Sequence, residues 1–169
     1  AGPFNPVNVT PEVRALLAIA TALLFFASVL VHELAHSLVA RAQGIPVKEI
    51  RLFIFGGASQ LTEEPTSAPN AALVALAGPL TSLVLAALCG LAAVQAGLTT
   101  ALGLVLGYLA TANAIVGAFN LLPAYPMDGG RVLQAILWGV THDRVRSTKL
   151  AGQVGVFFAW LLIAYGVFG

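Results

Sequence analysis

Residues 32 to 36 read His-Glu-Leu-Ala-His. On an α-helix, side chains four positions apart stand about 40° apart around the axis, so His32 and His36 share a face and one metal ion can bind both imidazoles. Glu33 stands beside them, where it can take a proton from water at that metal. Between Ala15 and Ala40 it is the one formally charged side chain. An ionised carboxylate near the middle of a membrane-spanning helix costs roughly 2.5 to 3.5 kcal/mol on insertion scales, so a cost of this size argues for chemistry. The competing reading is packing, because a lone intramembrane histidine commonly serves as a hydrogen-bond partner between helices. Three ionisable residues within five positions are poorly explained that way.

A catalytic zinc commonly has three protein ligands and one open position, so a third ligand must come from elsewhere in the chain. The candidates are Asp128, His142, Asp143, Glu63 and Glu64. Asp128 is the strongest. It ends the uncharged run that starts after Glu64, follows the helix-breaking Pro123 and Pro126, and precedes Gly129 and Gly130, which let backbone approach closely. A cap on a helix starting at Gly130 or Arg131 is its structural alternative, and is compatible with ligation. His142 and Asp143 lie in a basic polar stretch and read as solvated loop.

The elements that must position these residues follow from composition. Hydrophobic residues make up 59% of the 169 and charged residues 9%, and the mean hydropathy is +0.91. A soluble domain carries about 25% charged residues, so this is an integral membrane protein. A net charge of +1 implies no nucleic-acid partner. Cys89, the single cysteine, reads as a small packing residue in an apolar run, which excludes an intrachain disulfide framework. The chain reads as all-α and polytopic with about four transmembrane helices, forming one domain over residues 1–169. Span one runs from about Pro11 to Gln43, with Thr10 as N-cap and Gly44-Ile45-Pro46 as stop. Span two runs from about Asn70 to Ala96, with a kink or break expected at Gly78-Pro79. Span three covers about Thr99 to Leu122 and span four about Leu150 to Phe168. Gly129 to Val140 is too short to cross and predicts a partial helix at the interface, where Trp138 and Arg131 are at home. Val47 to Phe55 is strand-like and runs into Gly56-Gly57. Gly103 and Gly107, and Ala110 and Ala114, predict close helix packing.

Alternating four spans puts Arg41, Lys48, Arg51, Arg131, Arg144, Arg146 and Lys149 on one side and Arg14 alone on the other. The positive-inside rule makes the basic side, and with it the metal site, cytoplasmic. The N-terminal stretch lacks the basic start and apolar core of a signal peptide.

HELAH in an apolar helix, FIFGG at 53–57, LAGPL at 76–80 and NLLPAYPMDGGRVL at 120–133 together make the chain resemble the site-2 protease family of intramembrane zinc metalloproteases. The resemblance extends from about residue 15 to 168. It implies one zinc per chain bound by His32, His36 and Asp128, Glu33 as catalytic base, and Asn120 as a contact for substrate or the developing oxyanion. On the residues alone, Asn120 reads equally as an interhelical hydrogen-bond partner shared with Asn113 on the same face. The resemblance also implies a short membrane-associated β-hairpin around Phe55-Gly56-Gly57. The substrate expected is a transmembrane segment of a membrane-anchored regulatory protein, in a prokaryotic inner membrane. Family members commonly carry further hydrophobic segments and PDZ or CBS domains, so the chain reads as a catalytic core regulated by domains or subunits outside it. Three alternatives compete, one of them a prenyl-protein-type membrane metallopeptidase, which shares HExxH but is expected to be longer with a glutamate as third ligand. A metal-ion transporter should carry ionisable residues on several spans, and an inactive scaffold has no need of Glu33 and Asp128 together with both histidines.

Overall fold

The computed structural model describes residues 10–53, 56–61 and 65–168, with backbone alone for 47–53, 56–61 and 168. Helices dominate: α1 (Pro11–Ala42), α2 (Ala68–Ala96), α3 (Ala101–Asn120), α4 (Asp128–Thr141) and α5 (Arg144–Phe168), with β1 (Val47–Phe53) and β2 (Gly56–Leu61) between the first two. Four of them, α1, α2, α3 and α5, are long and apolar enough to cross a membrane. The fourteen residues of α4 rise only about 21 Å, too little to span a hydrocarbon layer of about 30 Å.

The helix ends follow from local chemistry. Pro11 opens α1, but Thr10 only occupies the N-cap position and its hydroxyl caps nothing. At the other end Gly44 takes a left-handed conformation at φ 80°. The Ile45 N–H then returns to the Ala40 carbonyl at 3.0 Å and the Gly44 N–H to Arg41 at 2.9 Å. These bonds satisfy carbonyls that the helix end would orphan, and Ile45 packs on Ala40 and Val74 to hold the stop in place. Ser67 caps α2 through the Asn70 N–H, and Thr100 caps α3 through the Gly103 N–H. The α5 helix begins at Arg144, six residues before the expected Leu150, because the Asp143 carboxylate accepts the Arg146 N–H at 3.0 Å. Capping outweighs the polar character of that first turn.

Three expectations are corrected. Of the kink or break expected at Gly78-Pro79, the break does not occur: α2 runs helical through Pro79 from Ala68 to Ala96. Pro79 is almost fully buried, and packing holds the helix together across the missing N–H. Gly103 and Gly107 do not form a packing seam. A methyl group on Gly107 would meet nothing within 4 Å, and one on Gly103 would strike the Gly97 carbonyl at its own helix start. The close approach of α3 to α2 comes instead at Gly117, where a methyl group would lie 2.9 Å from Leu83 Cγ and 3.0 Å from the Pro79 carbonyl. Lastly, Gly56 and Gly57 do not terminate a strand but open β2, opposite Phe53 and Leu52 in an antiparallel register. Residues 54 and 55 lie outside the described residues.

The α2 helix is the centre of the bundle, flanked by α1, α3 and α4, while α5 packs on α4. Cys89 joins Leu17, Phe25 and Leu104 around the buried pair Val105 and Leu109, in the packing role its apolar run suggests. Large apolar side chains such as Leu16, Leu23, Phe26, Leu38, Leu88, Leu91 and Trp160 point outward. In water such a surface would aggregate; against lipid tails it costs nothing.

Candidate metal centre

His32 and His36 lie on the inner face of α1 and are buried, as is Glu33 between them in sequence. Asp128 is the first residue of α4, behind Met127 at the N-cap position, so it does not cap the helix that follows it. Two glycines bring it in. A methyl group on Gly129 would strike the carbonyls of Leu121 and Leu122, and one on Gly130 would lie 2.7 Å from Ala124 C and Tyr125 N. The start of α4 therefore rests directly on the turn that leaves α3, the close backbone approach expected of this Gly-Gly pair.

The ligand atoms converge. Asp128 Oδ2 lies 3.3 Å from His32 Nε2 and 3.2 Å from His36 Nε2, and the two Nε2 atoms lie 3.3 Å apart. Ligands at the 2.0 to 2.1 Å bond lengths of zinc, arranged tetrahedrally, stand about 3.3 to 3.4 Å apart. The triangle has the size of one face of that tetrahedron. Among the described residues, His32, His36 and Asp128 form the cluster of histidine, cysteine and acidic side chains suited to a metal ion.

Proton placement gives the same answer. His36 Nδ1 lies 2.7 Å from the Val74 carbonyl, which can only accept, so Nδ1 carries the proton and donates it. In the neutral ring Nε2 then presents a lone pair. His32 Nδ1 lies 2.9 Å from Ser82 Oγ, a hydroxyl that can accept from Nδ1–H and so lets Nε2 present a second lone pair beside the first. Three acceptors at mutual hydrogen-bond distance repel one another unless a cation sits among them.

Glu33 has no hydrogen-bond partner for its carboxylate among the described residues and is 8% exposed. It is thus buried beside the triangle with its oxygens uncommitted among the described residues. Asn120 is not drawn into the cluster: its amide N–H donates to the Val116 carbonyl of its own helix at 3.0 Å. Asn113 likewise donates to Leu109, so the two asparagines do not share a bond between helices. His142 ends α4 in a left-handed conformation at φ 56°, and Asp143 caps α5. Both are exposed and neither approaches the triangle. Glu63 and Glu64 lie outside the described residues. Trp138 is covered by the Arg144 guanidinium, 5.2 Å from its ring centre. Sequence reasoning missed Ser82 and the Val74 carbonyl. The one available signal was a hydroxyl four residues beyond Gly78, in a span with no ionisable residue.

A family model described as Peptidase family M50 matches residues 20–103 and 91–162. The chain is 45% identical over 154 residues to the Synechocystis sp. protein sll0528, covering 91% of this chain and 41% of that protein. It is 43% identical over 155 residues to Rip3 of Mycobacterium tuberculosis, covering 90% and 39%. Both relatives carry zinc-metalloprotease names. Among solved structures it is similar to the site-2 protease from Methanocaldococcus jannaschii, with a TM-score of 0.69 and 33% identity over 86% of this chain and 66% of that one. The chain spans about two fifths of the length of the curated relatives. With its four apolar helices and this similarity, it is an integral multi-pass membrane protein. Matched across most of its length by that model, the chain belongs to peptidase family M50.

Proposed function

We propose that residues 1–169 form one catalytic core domain of an intramembrane zinc endopeptidase, with His32, His36 and Asp128 holding one zinc ion and Glu33 acting as general base. The observation that carries this reading is the triangle of three acceptor atoms with 3.2 to 3.3 Å edges, built on the apolar helix α1 and beside a buried carboxylate with no hydrogen-bond partner among the described residues. The metalloprotease names of the relatives point the same way. Zinc, when bound, supplies Lewis acidity that acidifies water and polarises a carbonyl. Val74 and Ser82 hold the imidazoles through Nδ1 and leave Nε2 free. The Glu33 carboxylate takes a proton from the attacking water and delivers it to the leaving amine. Asn120 contributes an N–H to the developing oxyanion, for which its amide must leave the Val116 carbonyl.

The substrate is a transmembrane segment of a membrane-anchored regulatory protein. A helical peptide bond is closed by its own hydrogen bonds, so the segment unwinds before attack and its freed backbone groups find new partners in the enzyme. The β1–β2 hairpin, set at the membrane surface, offers a strand edge for that pairing. Its side, with α4 and the start of α5, carries seven of the eight basic residues and faces the cytoplasm of a prokaryotic cell. Domains or subunits outside residues 1–169 regulate access. The test is Glu33→Gln. Cells carrying this variant should retain membrane proteins that cells with the unaltered protein cleave, as membrane proteomics reads, while the purified variant still binds one zinc. Identical membrane proteomes would remove Glu33 from the mechanism.

A further inference from the structure

Val74, Gly78 and Ser82 are spaced four apart on α2 and so form one stripe along that helix. All three are buried, Ser82 to 1% exposure, and each meets the histidine pair in a different way. The Val74 carbonyl accepts the Nδ1 proton of His36. Ser82 Oγ lies against His32 Nδ1. Between them, a methyl group on Gly78 would strike Nε2 of both histidines and lie 2.6 Å from His32 Cδ2. Buried helix hydroxyls commonly turn back on their own helix, as Thr81 does on the Ala77 carbonyl at 2.7 Å. Ser82 reaches across to α1 instead.

We infer that this stripe is the second half of the metal centre: Ser82 holds the His32 ring with Nε2 turned toward the other ligands, and Gly78 keeps the volume at the two Nε2 atoms clear. The inference rests on the zinc reading above. A neutral imidazole has one N–H, so Nε2 offers a lone pair only while the proton sits on Nδ1. The Ser82 hydroxyl can accept from Nδ1–H or donate to a bare Nδ1, so it fixes the orientation of the ring rather than its proton. In the metal-binding form it accepts, and without it that Nδ1–H is buried with no acceptor. His36 is held by a main-chain carbonyl, which a change at Ser82 leaves in place. Ser82 and Gly78 are positioning residues and touch neither substrate nor water.

The test uses the full chain in detergent, with zinc affinity read by chelator competition and imidazole protonation read by 15N NMR of labelled histidine. Only His32, His36 and His142 contribute to that spectrum. Ser82→Ala should weaken zinc by about 10- to 100-fold. In the zinc-loaded spectrum the Nδ1–H signal of His32 should shift on losing its hydroxyl acceptor, while that of His36 stays in place. Gly78→Ala should abolish tight zinc binding, and Thr81→Ala should leave it unchanged. The added methyl in Gly78→Ala can also disturb the packing of α1 on α2, so the deciding variant is Ser82→Ala with its spectrum. His36→Ala separates the two layers. If it binds zinc like the unaltered protein, the zinc reading itself fails. If His36→Ala loses zinc while Ser82→Ala holds it within twofold and leaves the His32 Nδ1–H signal unmoved, the ligand set stands and the stripe is ordinary helix packing.

Discussion

Gly130→Ala should disable the metal centre without altering any residue that touches the ion. The added methyl would lie 2.7 Å from Ala124 C and Tyr125 N and 2.9 Å from the Ala124 carbonyl oxygen. Contacts of this kind settle at about 3.5 Å, so the start of α4 and the 121–125 turn must part by about 0.8 Å, and backbone on both sides leaves no flexible side chain to yield. Asp128 lies two residues before Gly130, in the same first turn of α4. A metal ligand tolerates displacement of about 0.2 Å, a quarter of what the methyl demands. Zinc affinity should fall by at least the 10- to 100-fold seen for disturbed supporting shells. Stability should fall by about 1 to 3 kcal/mol from overpacking. Chelator competition on purified protein reads the first and denaturant titration in mixed micelles the second, with Gly152→Ala, where nothing lies within 4 Å, as the reference. Zinc affinity in Gly130→Ala within twofold of Gly152→Ala would show that the α3–α4 turn does not set the position of Asp128.

Further outcomes follow from the same structure. Gly117→Ala should destabilise the bundle by about 1 to 3 kcal/mol in micelle unfolding, because its methyl meets the Pro79 carbonyl. Gly107→Ala, on the same helix but facing open space, should be neutral or gain up to about 1 kcal/mol, and equal effects at the two sites would refute the packing argument. In a Cys89→Ser background, a cysteine at position 99 should react with an impermeant reagent in intact cells and one at position 142 only after permeabilisation; the reverse pattern would invert the orientation. Cleavage of a model substrate should quicken when Gly or Pro is placed near the scissile bond and slow in an Ala or Leu run. Ile50→Pro in β1 should impair cleavage while zinc stays bound, since it removes a backbone donor from the hairpin, and rates indifferent to both changes would exclude strand pairing.

Much of this was legible in the residues because the signals were chemical and local. HELAH on an apolar run fixes a face, a charge and a depth at once, and Asp128 announced itself by ending more than sixty uncharged positions. Span ends were readable where Pro or Gly marked them, as at Pro11 and Gly44. What was not legible depended on which neighbour a helix meets. Gly78-Pro79 looks the same in sequence whether it breaks a helix or clears space beside two imidazoles, and only the α1–α2 packing decides. Gly103 and Gly107 have the spacing of a seam, yet α2 presses on Gly117. The bonds of Asn120 and Asn113 to their own helices were hidden for the same reason: an amide in an apolar span takes whichever carbonyl is nearest.

The ligand triangle joins residues 96 positions apart, and three separate helices must be in place before its corners and their supports exist together. During synthesis, a chain that has inserted α1 and α2 but not yet α4 carries both histidines and lacks the carboxylate. Such a half-made protein has a weak, two-cornered grip on any cation. An ion that binds only the finished arrangement adds its affinity to the completed form, about 2.7 kcal/mol at a free concentration 100 times its dissociation constant. Zinc would then act as a latch on assembly as well as a reagent. Newly inserted neighbours in the same bilayer would meet no hydrolytic activity from this chain until its fourth helix had docked.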